Sequence, residues 1–208
     1  MPEQKLRTTP MRRNAAGQFV GILLAAGRGL RFDPTGAQNK LMQPLANGDA
    51  VAVAAARNLL AALPMVLAVV RPGADALAAQ LRAIGCEVIE CPDAALGMGA
   101  SLVHALSHTR AAAGWIIALA DMPYVQPATC TALIAAIRRG ADIAVPTCCG
   151  RRGNPVAFGS VHLPDLLRLG GDQGARSLLT AYPVTEIAVD DAGIGRDIDT
   201  AADLGALR

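Results

Sequence analysis

The chain first becomes strongly apolar at FVGILLA (residues 19–25), and this run passes directly into the glycine-rich turn AGRG (residues 26–29). A run that is apolar at nearly every position is typical of a strand buried on both faces of a parallel sheet. Similar runs predict strands at residues 65–71, 86–91, 115–121, 142–147 and 184–189. Amphipathic stretches predict helices at residues 50–63, 74–84, 100–110, 127–139, 163–169 and 174–181. This alternation predicts an α/β fold, a three-layer α/β/α sandwich with a mostly parallel sheet, whose ligands bind beyond the carboxyl ends of the strands.

The composition is that of one globular domain. Of 208 residues, 52% are hydrophobic and 17% are charged, and a chain of this size buries a sizeable core. We predict the domain at residues 19–208, behind a flexible N-terminal extension at residues 1–18 that has no periodicity. No apolar run reaches the roughly 18 residues that span a bilayer, so we expect a cytoplasmic protein with no membrane partner. A net charge of +2 argues against a nucleic-acid partner.

Residue usage narrows the chemistry further. The five cysteines form no CxxC pair, so the sequence suggests neither a zinc site nor a disulfide framework. Of the 19 basic residues, only Lys5 and Lys40 are lysines, and Lys40 follows the glycine-rich segment. A compact ammonium group differs chemically from a planar guanidinium group. We therefore predict that position 40 requires the ammonium group of a lysine. The alternative is that the lysine occurs there by chance, because two lysines are a small sample.

Two glycine-containing loops follow predicted strands. The first begins with Leu24, Ala25, Ala26 and Gly27, whose small residues let backbone N–H groups approach a polyphosphate. Arg31 and Lys40 add positive charge there, although the segment matches neither a Walker A loop nor GxGxxG. The second contains Gly97, Met98, Gly99 and Ser101 at the start of a helix, and we predict that it contacts the nucleobase or sugar. The alternatives are an ordinary βα turn and an ordinary glycine-rich helix entry.

Two aspartates are candidate magnesium ligands. Asp121 directly follows the apolar strand at residues 115–120, where a carboxylate is costly unless it is paired, caps a helix or binds a metal. Magnesium uses one or two protein carboxylates and fills its other positions with phosphates and water. Asp199 is the second candidate, and its alternative is that Asp199 or Thr200 caps the final helix.

Taken together, the motifs resemble one family. In chain order they are Leu24-Ala25-Ala26-Gly27-x-Gly29-x-Arg31, Asn39-Lys40-Leu41, Gly97-Met98-Gly99-x-Ser101-Leu102, Asp121-Met122-Pro123, Arg152-Gly153-Asn154-Pro155, Gly171-Asp172-x-Gly174-Ala175-Arg176 and Asp197-Ile198-Asp199-Thr200. The chain is similar over residues 20–204 to MobA-like NTP transferases, specifically to the molybdenum cofactor cytidylyltransferase (MocA-like) branch. One departure is the stretch between Arg31 and Lys40, which is longer than is common in the family.

The resemblance implies a nucleotide-diphospho-sugar-transferase type of fold, with Mg²⁺ as cofactor, CTP as nucleotide donor and molybdopterin carrying molybdenum as acceptor. It implies molybdopterin cytosine dinucleotide and pyrophosphate as products, and a molybdenum hydroxylase of the xanthine-dehydrogenase type as client. The turn Ala25-Ala26-Gly27 favours CTP, because the guanylyltransferase branch has Ala-Gly-Gly there. Arg31, Lys40 and Asp121 are the predicted catalytic residues. Arg152, Asn154 and Arg176 are the predicted acceptor-binding residues, the alternatives being a turn at residues 153–155 and a solvated helix face at Arg176.

Three other functions compete with this hypothesis. The first is a nucleotidyltransferase with a different acceptor, such as a sugar phosphate or phospholactate. The second is a non-catalytic carrier that binds molybdopterin and delivers it to an apo-oxidoreductase. A carrier needs no residues that bind a triphosphate and its metal ion, so the presence of Arg31, Lys40 and Asp121 favours an enzyme. A dehydrogenase is third, and the lack of GxGxxG counts against it.

Overall fold

Eight strands form one sheet in the described residues (17–36, 38–171 and 174–204) of this computed structural model. They are β1 Phe19–Ala25, β2 Val66–Val70, β3 Glu87–Glu90, β4 Gly114–Leu119, β5 Ile143–Cys148, β6 Arg151–Arg152, β7 Val156–Gly159 and β8 Thr185–Ala188. The strand order is β3-β2-β1-β4-β7-β5-β6, and β8 pairs with β5. Strands β1 to β4 pair in parallel, as do β5 and β8, whereas β7 is antiparallel to both of its neighbours. The prediction of a mostly parallel sheet is therefore confirmed.

Helices cover both faces of the sheet. They are α1 Val51–Ala62, α2 Asp75–Ala83, α3 Met98–His108, α4 Pro127–Arg138, α5 Leu163–Leu166, α6 Arg176–Ala181 and α7 Ala201–Leu204. The sheet divides the buried side chains into two cores, because alternate residues of a strand point to opposite faces. Leu23 of β1 packs with α1, α2 and α4, while Ile22 packs with α3, α5 and α6. These two cores make the predicted α/β/α sandwich.

The sheet differs from the prediction at two strands. The sequence reading omits β6 and β7, and β7 inserts between β4 and β5. Strand β7 has only four residues, so its pattern is too short to indicate a strand without its partners. The helix predicted at residues 163–169 is also shorter, since α5 ends at Leu166. The predicted extension at residues 1–18 lies almost wholly outside the described residues.

A helix that crosses a bilayer must be long and apolar. None of the helices in the described part of the chain combines the length and the apolar character that a bilayer crossing requires.

Candidate functional site

Four charged side chains meet beyond the carboxyl ends of β1 and β4. They belong to Arg31, Lys40, Asp121 and Asp199, and we call them the charged cluster. The cluster lies at the edge of the sheet where ligands bind in parallel α/β proteins. The sequence predicted each of these residues separately, and the fold places them in contact.

Lys40 is at the centre of the charged cluster. Its Nζ atom lies 2.7 Å from Oδ2 of Asp121 and 3.2 Å from Oδ1 of Asp199. Lys40 is only 9% exposed, because it starts a 3₁₀ turn at residues 40–42 that packs against the domain. The side chain of Asn39 caps this turn by accepting a hydrogen bond from the Leu41 amide at 3.0 Å. A lysine held this deeply is stabilised by both carboxylates.

The longer segment before Lys40 is folded by a local aspartate. The Asp33 carboxylate accepts hydrogen bonds from the Thr35 amide and hydroxyl and from the Gln38 amide, at 2.6 to 2.8 Å. Such bonds allow a short polar side chain to close a turn. The segment therefore returns towards the sheet, and Lys40 still reaches Asp121.

The fold brings Asp199 to Asp121 through a backbone contact. The Ile198 amide donates a hydrogen bond of 2.8 Å to the Asp121 carbonyl, which fixes the C-terminal segment at the end of β4. The outer oxygen Oδ2 of Asp199 then pairs with the Arg31 guanidinium at 2.6 Å. The Arg31 side chain is 81% exposed, so this pair is solvated and weaker than that of Lys40.

The capping alternative for Asp199 assigns its carboxylate to the final helix, but another residue holds that position. The Asp203 carboxylate accepts hydrogen bonds from the Thr200 hydroxyl and from the amides of Thr200 and Asp199. In this capping-box arrangement, a side chain in the first turn of the helix binds the backbone N–H of the residue that precedes the helix. The Thr200 hydroxyl and the two amides lower the pKa of Asp203 from its usual value. Capping by Asp203 leaves the Asp199 side chain to face Lys40 and Arg31.

The donor atoms of the charged cluster suit a divalent metal ion of the magnesium type. Oδ1 of Asp121 is buried and has no hydrogen-bond partner among the described residues, which is costly for a carboxylate oxygen. The described residues contain no group of three or more His, Cys, Asp or Glu side chains placed to bind a metal. Two aspartates without further protein ligands fit an ion that takes its remaining ligands from phosphates and water.

The first glycine-rich loop lies beside the charged cluster. Gly29 adopts a φ of +63°, a left-handed conformation that favours glycine, and a Cβ there would lie 3.3 Å from Cγ of Lys40. The Arg71 guanidinium donates a hydrogen bond of 3.3 Å to the Gly27 carbonyl. Sequence reasoning missed Arg71, although it directly follows β2, the strand that pairs with β1. The same rule that singled out Asp121 after its strand would have found it.

The second loop packs against the C-terminal half of the domain. Gly97 has a φ of +117° and precedes α3, and Ser101 is buried within the helix. The Gly99 amide donates a hydrogen bond of 2.9 Å to the Gly171 carbonyl, so this N–H group is already used within the protein. A Cβ at Gly99 would lie 2.8 Å from the Gly170 carbonyl carbon. These contacts hold the loop at residues 97–101 against residues 170–171, while the Met98 side chain remains exposed.

The predicted acceptor-binding residues do not join the charged cluster. Arg152 lies on β6 and pairs with Glu186 of β8 at 2.8 Å. The backbone N–H of Asn154 donates a hydrogen bond of 2.9 Å to the Ile194 carbonyl. Asn154 also lines a small cavity together with Leu119 and Met122. Arg176 is exposed at the start of α6. Asp172, from the same motif, lies outside the described residues.

Asp191 is a positioning residue that the sequence did not reveal. It is 2% exposed, and its carboxylate accepts hydrogen bonds from the Gln126 amide, the Thr129 hydroxyl and the Gly193 amide at 2.6 to 2.9 Å. Asp191 thereby supplies the cap that α4 lacks locally. Helix α4 follows the loop that begins at Asp121, so this network supports one end of the charged cluster.

The fold and the charged cluster together define a nucleotidyltransferase, with the nucleotide-diphospho-sugar-transferase type of fold that the sequence predicted. The chain belongs to the MobA-like NTP transferase family, whose domain model matches residues 21–186. Nucleotidyltransferases of this family bind a nucleoside triphosphate and an acceptor and depend on a divalent metal ion.

Three relatives illustrate the similarity. The chain is 30% identical over 206 residues to the purine catabolism protein PucB of Bacillus subtilis (strain 168), covering 91% of this chain and 96% of PucB. Rv0371c of Mycobacterium tuberculosis H37Rv superposes with a TM-score of 0.77 at 29% identity, covering 90% of this chain and 96% of that chain. Its complex with manganese gives a TM-score of 0.73. A nucleotidyl transferase from Methanothermobacter, Mth528, shares the fold, with a TM-score of 0.72 at 24% identity over 89% of this chain and 94% of that chain.

Proposed function

We propose that the protein is a cytoplasmic, magnesium-dependent cytidylyltransferase that transfers CMP from CTP to molybdopterin carrying molybdenum. The acceptor phosphate oxygen bonds to the α-phosphorus of CTP, the bond from that phosphorus to the bridging oxygen breaks, and pyrophosphate leaves. The products are molybdopterin cytosine dinucleotide and pyrophosphate. The observation that carries the proposal is the charged cluster, since the contact between Lys40 and both aspartates gathers the groups that this reaction needs.

The residues of the charged cluster divide the work. Asp121 and Asp199 would hold the metal ion, which would supply charge neutralisation at the triphosphate. Lys40 and Arg31 bind the phosphates and stabilise the negative charge that develops as pyrophosphate departs, an effect typically worth a few kcal/mol per group. The glycine-rich loop at residues 24–27 lies close to the triphosphate, and the loop at residues 97–101 borders the base.

The choice of a pyrimidine is proposed from the family resemblance, since Ala25-Ala26-Gly27 stands where the guanylyltransferase branch has Ala-Gly-Gly. The side chains of Ala25 and Ala26 are themselves buried, at 2% and 7% exposure. Hydrogen bonds to the edge of the cytosine would then reject bases that leave those groups unpaired. Equilibrium binding of CTP, GTP and ATP in the presence of magnesium tests this step, and tighter binding of GTP than of CTP contradicts it.

The acceptor is proposed from the family resemblance and from one relative. PucB is named a purine catabolism protein, which fits a client hydroxylase of the xanthine-dehydrogenase type. The proposed acceptor-binding residues are Arg152, Asn154 and Arg176. Because Arg152 is paired with Glu186, it binds an acceptor only by exchanging that partner.

The test is pyrophosphate release from each of the four common NTPs, with and without molybdopterin. We expect release from CTP that depends on both molybdopterin and magnesium. Release from CTP with a sugar phosphate instead would point to another acceptor. Binding of molybdopterin without release from any NTP would support a carrier.

A further inference from the structure

The charged cluster holds an ammonium group where a metal ion would bridge the two aspartates. Nζ of Lys40 contacts one oxygen of Asp121 and one of Asp199, at 2.7 and 3.2 Å. Arg31 takes the other oxygen of Asp199 at 2.6 Å. Three of the four carboxylate oxygens therefore already face a cation, and the fourth, Oδ1 of Asp121, is buried without a partner among the described residues.

A metal ion that binds both aspartates competes with these contacts. A divalent cation at an oxygen of Asp199 either shares that oxygen with Lys40 or Arg31 or displaces one of them. It would also lie within a few ångströms of the Lys40 ammonium, where like charges repel strongly because the Lys40 side chain is only 11% exposed and poorly screened. The more exposed Arg31 moves away at little cost. Lys40 is therefore the group that opposes the metal.

A nucleoside triphosphate gives Lys40 another partner close by. The aliphatic part of Lys40 lies against Gly29, so this side chain is next to the glycine-rich turn at residues 26–29. Phosphates bound at this loop attract the ammonium away from the carboxylates, and their oxygens supply the ligands that magnesium lacks. The negative charge that removes Lys40 from the aspartates thus arrives with the nucleotide.

We propose that Lys40 acts as a gate on the metal site, which admits the metal ion only together with the nucleotide. This proposal rests on the proposed function for the identity of the nucleotide, but not for the gating itself. Two results follow from it. The protein binds a divalent metal weakly when the nucleotide is absent, and nucleotide and metal each strengthen the binding of the other by the same factor, as linkage requires.

The experiment measures Mn²⁺ binding to the full chain by the electron paramagnetic resonance signal of free Mn²⁺. Binding is measured alone and with saturating α,β-methylene analogues of CTP or GTP, which do not release pyrophosphate, and the Mn²⁺ that each analogue binds without protein is measured separately and subtracted. For the unmodified protein we expect the CTP analogue to tighten Mn²⁺ binding by about tenfold or more, within the usual range of such couplings. Equal Mn²⁺ affinity with and without either analogue would overturn the gate.

Variants separate the gate from a simple phosphate contact. Lys40→Met keeps the length of the side chain and removes its charge, and we expect it to bind Mn²⁺ alone about tenfold more tightly than the unmodified protein. Lys40→Arg keeps the charge and is expected to leave Mn²⁺ binding weak. Arg168→Met is the matched control, because it removes an ion-paired arginine outside the charged cluster and should leave Mn²⁺ binding unchanged.

The outcomes distinguish the gate from the proposed function. If Lys40→Met is folded by circular dichroism and binds Mn²⁺ alone no more tightly than the unmodified protein, the gate is wrong, whatever the acceptor. If only the GTP analogue tightens Mn²⁺ binding, the gate stands and the choice of CTP is wrong. The comparison with and without nucleotide uses the unmodified protein, so equal Mn²⁺ affinity there would overturn the gate even if Lys40→Met does not fold.

Discussion

Asp121 differs from an ordinary surface aspartate in having one buried oxygen without a hydrogen-bond partner in the described part of the chain. We expect Asp121→Asn to lower kcat at least about a hundredfold, because it weakens the metal site that stabilises the developing charge. Steady-state pyrophosphate release over a magnesium titration measures the loss. Asp49→Asn is a matched control, since the side chain of Asp49 is 23% exposed and ion-paired, close to the 22% of Asp121. Near-normal activity of Asp121→Asn at low magnesium would contradict its role.

The cysteines differ in reactivity for reasons of burial. Burial raises the pKa of Cys86 to about 11 and that of Cys130 to about 12, so neither thiol carries appreciable thiolate at neutral pH. Cys149 is exposed, while a hydrogen bond between the two neighbouring thiols raises the pKa of Cys148. We expect a thiol reagent at neutral pH to label Cys149 first, with Cys86 and Cys130 reacting only after unfolding. Mass spectrometry of the labelled peptides checks this, and rapid native labelling of Cys130 would show that the core is not packed as described.

At the scale of elements, helix α4 depends on a cap that comes from far along the chain. Asp191→Ala removes the acceptor for the Gln126 and Gly193 amides and for the Thr129 hydroxyl, and the Gly193 amide and the Thr129 hydroxyl then lie buried without this acceptor. We expect the free energy of unfolding to fall by roughly 3 kcal/mol, since each such group costs about 1–3 kcal/mol and part of the loss is recovered by water. Urea denaturation measures it.

The neighbouring residue is the control for Asp191. Asp190 is exposed, and we expect Asp190→Ala to change the free energy of unfolding by less than about 0.5 kcal/mol. Equal losses for the two variants would show that net charge, rather than the cap on α4, is responsible.

At the scale of the whole molecule, the sequence predicted the strands and helices whose own residues show a clear apolar or amphipathic pattern. The strands β1 and β4 are almost uninterrupted apolar runs, and the helices α1 and α4 are longer stretches of 12 residues, so their approximate positions could be predicted from the sequence. Strand β7 could not be read, because its four residues become a strand only through pairing with β4 and β5. The pairing of the Ile198 amide with the Asp121 carbonyl is equally non-local.

The same division explains the candidate site. Arg31, Lys40, Asp121 and Asp199 could be predicted because each stands at a strand end or in a family motif. Their mutual contacts could not, since these depend on how the C-terminal segment returns to β4. A family motif does not by itself place a residue in the charged cluster. Arg152 belongs to a motif, but its side chain pairs with Glu186 instead.

The central claim is that this protein transfers CMP to a molybdopterin-type acceptor. Its most direct test uses CTP labelled at the α-phosphorus, incubated with magnesium, molybdopterin and the protein, followed by chromatography of the products. We predict that the label moves to the acceptor with one pyrophosphate released for each labelled molecule, and that Asp121→Asn slows both at least about a hundredfold. The account would be contradicted if molybdopterin bound but acquired no label from CTP.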